Sequence, residues 1–373
     1  MSKGYWLAIR TAWVTWRNGV LSSPRFQQAA TRFWLTRPVA HAQARGLFDL
    51  VAGFVYSQTL AACLETGLLD VLAQGVTSTE SVADQCALPS EGALRLLRAA
   101  AAIGLAERVG TAWALGSAGA ALRGNAGIAE MIAHHPLLYA DLADPVALLR
   151  RGGGGGALAR YWTYAEHPGD GTAEEVHAYS RLMGASQPLV ATQILQSYRF
   201  AQHRRILDIG GGEGRFLEAV AAAVPTLDLA LFDLPAVTDR ARTRLAAAGL
   251  GARSVVHAGS FLHDPLPTGY DLITLVRVLH DHDDGPALTV LRAIHAALPR
   301  GGCLLIAEPM AQTRGAEPAG DAYFGLYLLA MGSGRPRTPR EIDGMLRAAG
   351  FDTVRLLSTA MPLTCRVMLA RRN

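Results

Sequence analysis

Short apolar runs separated by stretches of helical periodicity fill the second half of this chain. Ile206 to Ile209, Leu227 to Leu234, Ser254 to His257, Leu272 to Leu279 and Cys303 to Ala307 each have strand length and turn residues at their ends. Between them Phe216, Val220 and Ala223 recur at helical spacing within 215–224, and Ala236 to Ala248 and Ala287 to Leu298 read as further helices. Strands alternating with helices predict an α/β fold with a doubly wound sheet whose ligands bind at the carboxyl ends of the strands. After a helix over Arg340 to Ala349, the runs Thr353 to Leu357 and Cys365 to Ala370 are expected to pair as a closing hairpin.

The first half is helical. Trp6, Ile9, Trp13, Trp16 and Val20 recur at steps of three and four, with Arg10 and Arg17 on another face, so the chain begins with an amphipathic helix. The pattern stays helical from Ala44 to Leu72. Thr79 to Gln85 then reads as a short helix capped by Ser78, and Ser90 caps a longer one with Ala93, Leu94, Leu97, Ala100 and Ala101 inward. Leu105 to Leu115 reads as a two-stranded wing around Gly110, which completes winged-helix order. The five glycines Gly152 to Gly156 follow no strand and are expected to form a mobile surface loop, not a phosphate cradle. A helical stretch from Glu174 to Arg199 leads into the first sheet strand. The expected division is a basic aromatic arm over 1–43, a winged-helix-like domain over 44–125, a helical connector over 126–199 that contributes to a substrate pocket, and the α/β domain over 200–373.

Composition narrows the class. The chain has 373 residues, half of them apolar, which suits a folded protein with a sizeable core. Its four cysteines form no CxxC pair, which argues for a reducing compartment and against structural zinc. The net charge is +4, but no acid precedes Asp49, while Lys3, Arg10, Arg17, Arg25, Arg32, Arg37 and Arg45 fall in that stretch among tryptophans and phenylalanines. Two readings are open for this arm: a flap packed on the body or on a partner subunit, and a peripheral attachment to an anionic membrane surface. No secretory signal is evident, so a cytoplasmic location is expected, and the most apolar later stretch, Leu50 to Leu64, is too short to span a bilayer. Arg95 and Arg98 alone on the candidate recognition helix are too little for phosphate and base contacts, so no nucleic-acid partner is expected.

Two strings carry chemistry. In Ile206-Leu207-Asp208-Ile209-Gly210-Gly211-Gly212-Glu213-Gly214 a strand ends in glycines that let a ligand approach the main chain. Asp208 and Glu213 flank this turn and would repel a pyrophosphate, whereas S-adenosylmethionine is cationic and lacks phosphate; Asp233 then stands ready for ribose hydroxyls. The second string, Arg277-Val278-Leu279-His280-Asp281-His282-Asp283-Asp284, follows the fourth strand. His280 is placed to act as general base for a hydroxyl nucleophile, with Glu308 past the fifth strand holding the imidazole tautomer. A metal on the histidines and aspartates, or a structural role for His280, are the alternatives; no third ligand cluster stands out, and no metal is expected.

At these residues the chain resembles the plant and bacterial S-adenosylmethionine-dependent O-methyltransferases that include acetylserotonin and caffeic acid methyltransferases. The resemblance rests on the glycine turn, Phe232-Asp233-Leu234-Pro235, Gly259-Ser260-Phe261 and the His-Asp string with Glu308. It implies a Rossmann-like methyltransferase sheet with an N-terminal winged-helix dimerisation domain, and hence a homodimer. It further implies that Asp208, Gly210 and Gly212 line the cofactor, Asp233 holds the ribose, Ser260 and Phe261 meet the adenine, Leu234 and Arg277 contact the cofactor and His280 is the base. Ser260 stands where many members have aspartate, leaving adenine recognition to a hydroxyl or the backbone. Pro336 stands where plant members have a second glutamate, which argues against positioning of a phenol there.

A narrower resemblance is to the carotenoid O-methyltransferases of purple phototrophic bacteria, which act on demethylspheroidene and related 1-hydroxycarotenoids. Its carriers are Ser22-Ser23-Pro24-Arg25-Phe26, Leu35-Thr36-Arg37-Pro38, the segment 47–58 (LFDLVAGFVYSQ) and the segment 321–332 (DAYFGLYLLAMG). It implies a hydrophobic hydroxycarotenoid substrate, against the alternatives of aromatic or polyketide hydroxyls and of a cofactor-sensing DNA-binding regulator. A long apolar substrate needs an apolar tunnel, for which the segments 161–164, 179–183 and 323–331 offer Tyr164, Met183, Tyr323, Tyr327 and Met331 as candidate wall residues; ordinary helical core is the other reading of those segments.

Overall fold

A computed structural model of the chain describes residues 3–166 and 173–373, leaving out the side chains of residues 3, 126, 163–166, 173–183 and 185. The chain divides into two compact units, Met1–Arg123 and Gly124–Asn373. The helical stretch over 126–197 therefore belongs with the sheet.

In the first unit the periodic indoles fall on a helix over Lys3–Leu21, followed by Pro24–Arg32 and Arg37–Glu65. The stretch Leu50 to Leu64 is thus part of a 29-residue helix that is, by length and composition, long enough to cross a membrane, so its shortness is no argument against spanning. Helices Leu68–Ala73, Thr79–Gln85 and Ser90–Ala102 lead to strands β1 (Ala106–Val109) and β2 (Ala112–Leu115), paired antiparallel around Gly110 at φ +62°. Ser78 caps its helix by accepting from the Ser81 amide. Pro89, not Ser90, sits at the N-cap of the longer helix, which buries Ala93, Leu97 and Ala100. Leu68, Leu72, Val82, Leu97 and Trp113 close a small core, and the Trp113 indole donates to Thr79.

The second unit opens with helices Ala126–Asp141, Pro145–Arg150, Ala157–Glu166 and Ala173–Ser197. Seven strands follow: β3 (Arg205–Ile209), β4 (Asp228–Asp233), β5 (Ser254–Ala258), β6 (Leu272–Val276), β7 (Cys303–Glu308), β8 (Thr353–Leu357) and β9 (Arg366–Arg371). Their order is β5-β4-β3-β6-β7-β9-β8, parallel except for β9, which runs antiparallel to both neighbours. The expected hairpin is therefore β8–β9, inserted with β9 next to β7. Successive residues of one strand feed opposite cores: Leu207 and Ile209 pack with Ile273, Leu291 and Leu346, whereas Ile206 packs with Ile194, Phe216 and Val220. Burial on both faces is why these strands read as unbroken apolar runs. The order reverses direction between β3 and β6, which places the crevice at their carboxyl ends.

Gly152 to Gly156 do not form a loose surface loop. Gly154 donates to the Leu329 carbonyl, and a Cβ on Gly153 would lie 2.4 Å from that same oxygen. Both carboxylate oxygens of buried Asp141 accept the amides of Ala157 and Leu158 and start the next helix. Four of the five glycines have positive φ, and the run is needed because backbone meets backbone there.

Candidate active site

At the crevice β3 ends in a turn whose Gly210, Gly212 and Gly214 all have positive φ. The Gly210 amide donates to Phe232 of β4, and a Cβ at Gly210 would sit 2.7 Å from Val278. At Gly212 the space is open. Asp233, at the tip of β4, accepts the Gly212 amide through Oδ2 and the Leu234 amide through Oδ1, each at 2.7 Å. Burial raises its pKa, and these two amides pull it back. The carboxylate is thereby oriented at the rim of the turn, with lone pairs left for a ligand's hydroxyls.

The charges around the turn differ from the simple reading of its acids. Asp208 is buried under the turn, accepts from the Thr274 hydroxyl at 2.6 Å, and is pushed up by burial to about 7. Glu213 lies 4.0 Å from Arg215 and 3.9 Å from Arg244. Burial of Asp208 and the arginines near Glu213 weaken the repulsion of phosphate expected from the two acids. What suits S-adenosylmethionine is the backbone access at Gly210 and Gly212, the Asp233 carboxylate and the aromatic wall of Phe261.

Phe261 stands over the turn, with its ring edge 3.7 Å from where a Gly210 Cβ would be and its ring centroid 5.4 Å from that of His282. The Ser260 amide is occupied by the Asp264 carboxylate at 2.7 Å, which leaves the Ser260 hydroxyl as the group free to address a ligand. Asp264, four residues on, thus brings a carboxylate to the region where Ser260 replaced one. Arg277 follows β6 in a left-handed conformation at φ +57°, donates its amide to Ala307 of β7 and reaches Ser186 through Nη1 at 2.7 Å. Such a conformation is costly for a non-glycine residue and is held here from both sides.

His280 lies on a single 3₁₀ turn, Leu279–Asp281, and is 6 % exposed. Its Nε2 is 3.1 Å from the Asp281 carboxylate, and its Nδ1 is 3.7 Å from Oε2 of fully buried Glu308, which accepts the His280 amide at 3.1 Å. Among the described residues neither Nδ1 of His280 nor Oε1 of Glu308 has a hydrogen-bond partner, and at 3.7 Å Nδ1 and Oε2 are near but not joined. Burial pushes the imidazole pKa down, but Asp281 and then Glu308 outweigh it, and the net shift is upward. Burial likewise raises the Glu308 carboxyl. The remaining aspartates of the string are engaged elsewhere: Asp283 accepts the Gly334 amide, and Asp284 binds Arg335 and Arg337. Among the described residues no group of three or more potential ligands is arranged to hold a metal ion.

Beside His280 opens a cavity of about 100 Å³, lined also by Arg277, Asp281 and Ser186 and by Met131, His134, Trp162, Tyr323, Phe324, Tyr327 and Leu328. Tyr323 and Phe324 belong to a π-helical stretch, Pro318–Phe324, that runs into the helix Gly325–Met331. The Tyr327 hydroxyl meets His134 at 2.9 Å and the Trp162 indole N–H at 3.3 Å; the Tyr323 hydroxyl meets His135 at 2.9 Å. With these polar tips tied to one another, the aromatic and aliphatic residues of the lining offer ring faces and carbon. Met331 is buried among Leu138, Leu148 and Leu158 and does not line the cavity. The side chains of Tyr164 and Met183 lie outside the described residues. His134, Ser186 and Asp264 carry no signal in the sequence, whereas Trp162 lies within the candidate wall segment 161–164 and Asp281 enters there only as a candidate metal ligand.

Residues 139–352 match the family model for an O-methyltransferase domain, and residues 48–122 match that for an O-methyltransferase dimerisation domain. A demethylspheroidene O-methyltransferase of Cereibacter sphaeroides is 42% identical over 94% of this chain and 93% of its own length. Its counterpart from Rhodobacter capsulatus is 40% identical over 94% of this chain and 88% of its own. Among solved structures, PigF with SAH superposes with a TM-score of 0.75 at 26% identity, covering 88% of this chain and 99% of that one.

Proposed function

Because this chain belongs to the S-adenosylmethionine-dependent O-methyltransferases, we propose that it transfers the cofactor methyl to the tertiary hydroxyl of a 1-hydroxycarotenoid such as demethylspheroidene. The observation that carries this reading is the end-to-end likeness to two demethylspheroidene enzymes. The lining of the cavity agrees with an apolar acceptor, since beyond Arg277, His280, Asp281 and Ser186 it is mostly aromatic and aliphatic.

Asp233, Gly210, Gly212, Leu234, Ser260, Phe261 and Arg277 would hold the cofactor. When bound, S-adenosylmethionine supplies an electrophilic methyl on a sulfonium. Glu308 favours the proton on Nδ1 of His280, which leaves Nε2 to accept the proton of the acceptor hydroxyl. Asp281 must give way at Nε2 as that hydroxyl arrives. A tertiary alcohol is far less acidic than imidazolium, so the proton leaves as the new O–C bond forms and not before. His280 thus prevents a build-up of positive charge on oxygen, while the dry aromatic wall aligns the reacting atoms, an effect that can supply roughly 7 to 11 kcal/mol.

A phenolic acceptor is the second reading, favoured by the ring faces of Trp162, Tyr323, Phe324 and Tyr327. It is weakened because the 334–338 segment brings no second carboxylate to His280. Mass spectrometry of a reaction with detergent-dispersed 1-hydroxycarotenoid, beside a phenol panel, decides. One methyl gained by the carotenoid alone is expected; methylated phenols with untouched carotenoid would move the function to the aromatic branch.

The dimerisation domain supports a homodimer acting on a small molecule. We further propose that the arm attaches peripherally to the membrane that dissolves such a substrate. Its Trp6, Trp13 and Trp16 indoles are 53–66 % exposed, as interfacial anchors would be.

A further inference from the structure

The 3₁₀ turn that carries His280 has little structure of its own, yet its carbonyls are engaged from elsewhere in the chain. All four carbonyls from Leu279 to His282 accept hydrogen bonds from one segment, residues 333–337. The Ser333 hydroxyl donates to Asp281, the Arg335 amide to His280, and the two Nη groups of Arg337 donate to Leu279 and His282 at 2.9 and 2.7 Å. Gly334, at φ +75°, passes so close that a Cβ there would lie 2.1 Å from the His280 carbonyl.

Within this strap Arg337 stands apart. It is a wholly buried guanidinium, its fork held by Asp284 Oδ1 at 2.9 and 2.8 Å, and its own carbonyl accepts the amide of Ala311, three residues beyond Glu308. One residue therefore fastens the turn of the base and the segment of its carboxylate partner to the same point. A buried arginine is costly to keep where a hydrophobic residue would fill the space, which argues that its geometry is used.

Resting on the reading of His280 as the base, we propose that Arg337 is a positioning residue, which sets the distance and alignment between His280 and Glu308. It does not line the cavity beside His280. Its charge also acts on the pair. The ionisable groups facing His280 are Asp281 and Arg277 from its own segment and Glu308 from β7, and Arg337 is the cation from the strap that favours the ionised form of Glu308.

The test uses the full-length enzyme with whichever acceptor the wild type methylates, so a wrong acceptor revises the substrate and leaves the assignment of Arg337 testable. Arg337→Met should lower kcat by roughly ten- to a hundred-fold, the penalty of slight misplacement at a reacting centre, with S-adenosylmethionine affinity by calorimetry within about threefold. Loss of the cation lets the His280–Glu308 pair bind its proton more readily, so the acid limb of the rate profile should move up by roughly half a pH unit or more. Arg337→Lys keeps the charge without the fork; kcat should fall while the limb stays. Imidazole NMR titration of His280, assigned with His280→Gln, should follow the same order. Asp284→Asn, at an exposed position outside the site, should loosen the fork and cost several-fold in kcat. An Arg337→Met enzyme within twofold of wild-type kcat, or one losing cofactor affinity as steeply as kcat, overturns the proposal. If that variant does not fold, unchanged kcat and pH profile in both Arg337→Lys and Asp284→Asn overturn it equally.

Discussion

His280 is the side chain on which the proposed chemistry turns. His280→Ala should leave S-adenosylmethionine affinity nearly intact and lower turnover by about two to four decades, measured as kcat beside a calorimetric Kd; unchanged turnover would remove it from the mechanism. Only the neutral imidazole accepts a proton, and Asp281 and Glu308 raise its pKa above the ordinary value against the effect of burial. The rate should therefore fall as pH drops through that raised value. Asp281→Asn removes one raising charge and should move this limb to lower pH. A second residue-scale expectation concerns His134, which burial lowers to about 4. The unfolded imidazole protonates below about 6.5 while the folded one stays neutral to about 4, so stability is full above that window and declines as pH falls through it. The loss is on the order of 3 kcal/mol at most. Urea titrations at pH 5 and 7.5 check this, and an equal pH dependence in His134→Phe would sink it. At this scale the sequence disclosed His280, Asp233 and the glycines, because their position after strands is local. It did not disclose Asp264 at the Ser260 amide or the buried state of Asp208, since those depend on neighbours brought in by folding.

At the scale of elements, the turn at Gly152 to Gly156 shows how an irregular segment can be as constrained as a helix. A Cβ on Gly156 would fall 2.0 Å from the Asp141 carboxylate that starts the helix Ala157–Glu166. Gly156→Ala should destabilise the protein by about 1 to 3 kcal/mol, seen as a lower urea midpoint at unchanged slope; an unaltered midpoint would mean that Asp141 has another rotamer open to it. The sequence displayed five glycines and no periodicity, which reads as slack. What makes the run tight is the Leu329 carbonyl, far away in the chain. Helices and strands were legible almost throughout, because burial of one face or of both imposes a period on the residues of the element itself. The position of β9 between β7 and β8 was not, because a hairpin's apolar runs do not say which of its strands the sheet accepts.

For the whole molecule, charge is unevenly allotted: the first 48 residues hold seven Lys and Arg and no acid, against a total of +4, so the remainder is net negative. Any attraction to an anionic bilayer must then come through the arm. The full-length enzyme should sediment with phosphatidylglycerol vesicles and not with phosphatidylcholine ones, weakening as salt rises, and the combined replacement of Trp6, Trp13 and Trp16 by alanine should reduce binding at least tenfold. Equal recovery with both vesicle types would discard the electrostatic part. The exposed Phe48, Leu50, Val51 and Phe54 fall in the dimerisation domain, and we expect a second copy to cover them, giving twice the chain mass by light scattering at micromolar concentration. A monomer there would reassign that face.

The sequence by itself determined the order of strands and helices, the glycine turn with its acid at the end of the next strand, the histidine after the fourth strand, and the basic arm. Each of these is written in neighbouring residues. Only the tertiary structure decided which carboxylate meets each imidazole nitrogen, that the tyrosine hydroxyls of the cavity are spent on His134 and His135, and that residues 333–337 hold the His280 turn. Those contacts join segments as much as 193 positions apart, and no local period or spacing records which distant partner a hydrogen-bonding group will find.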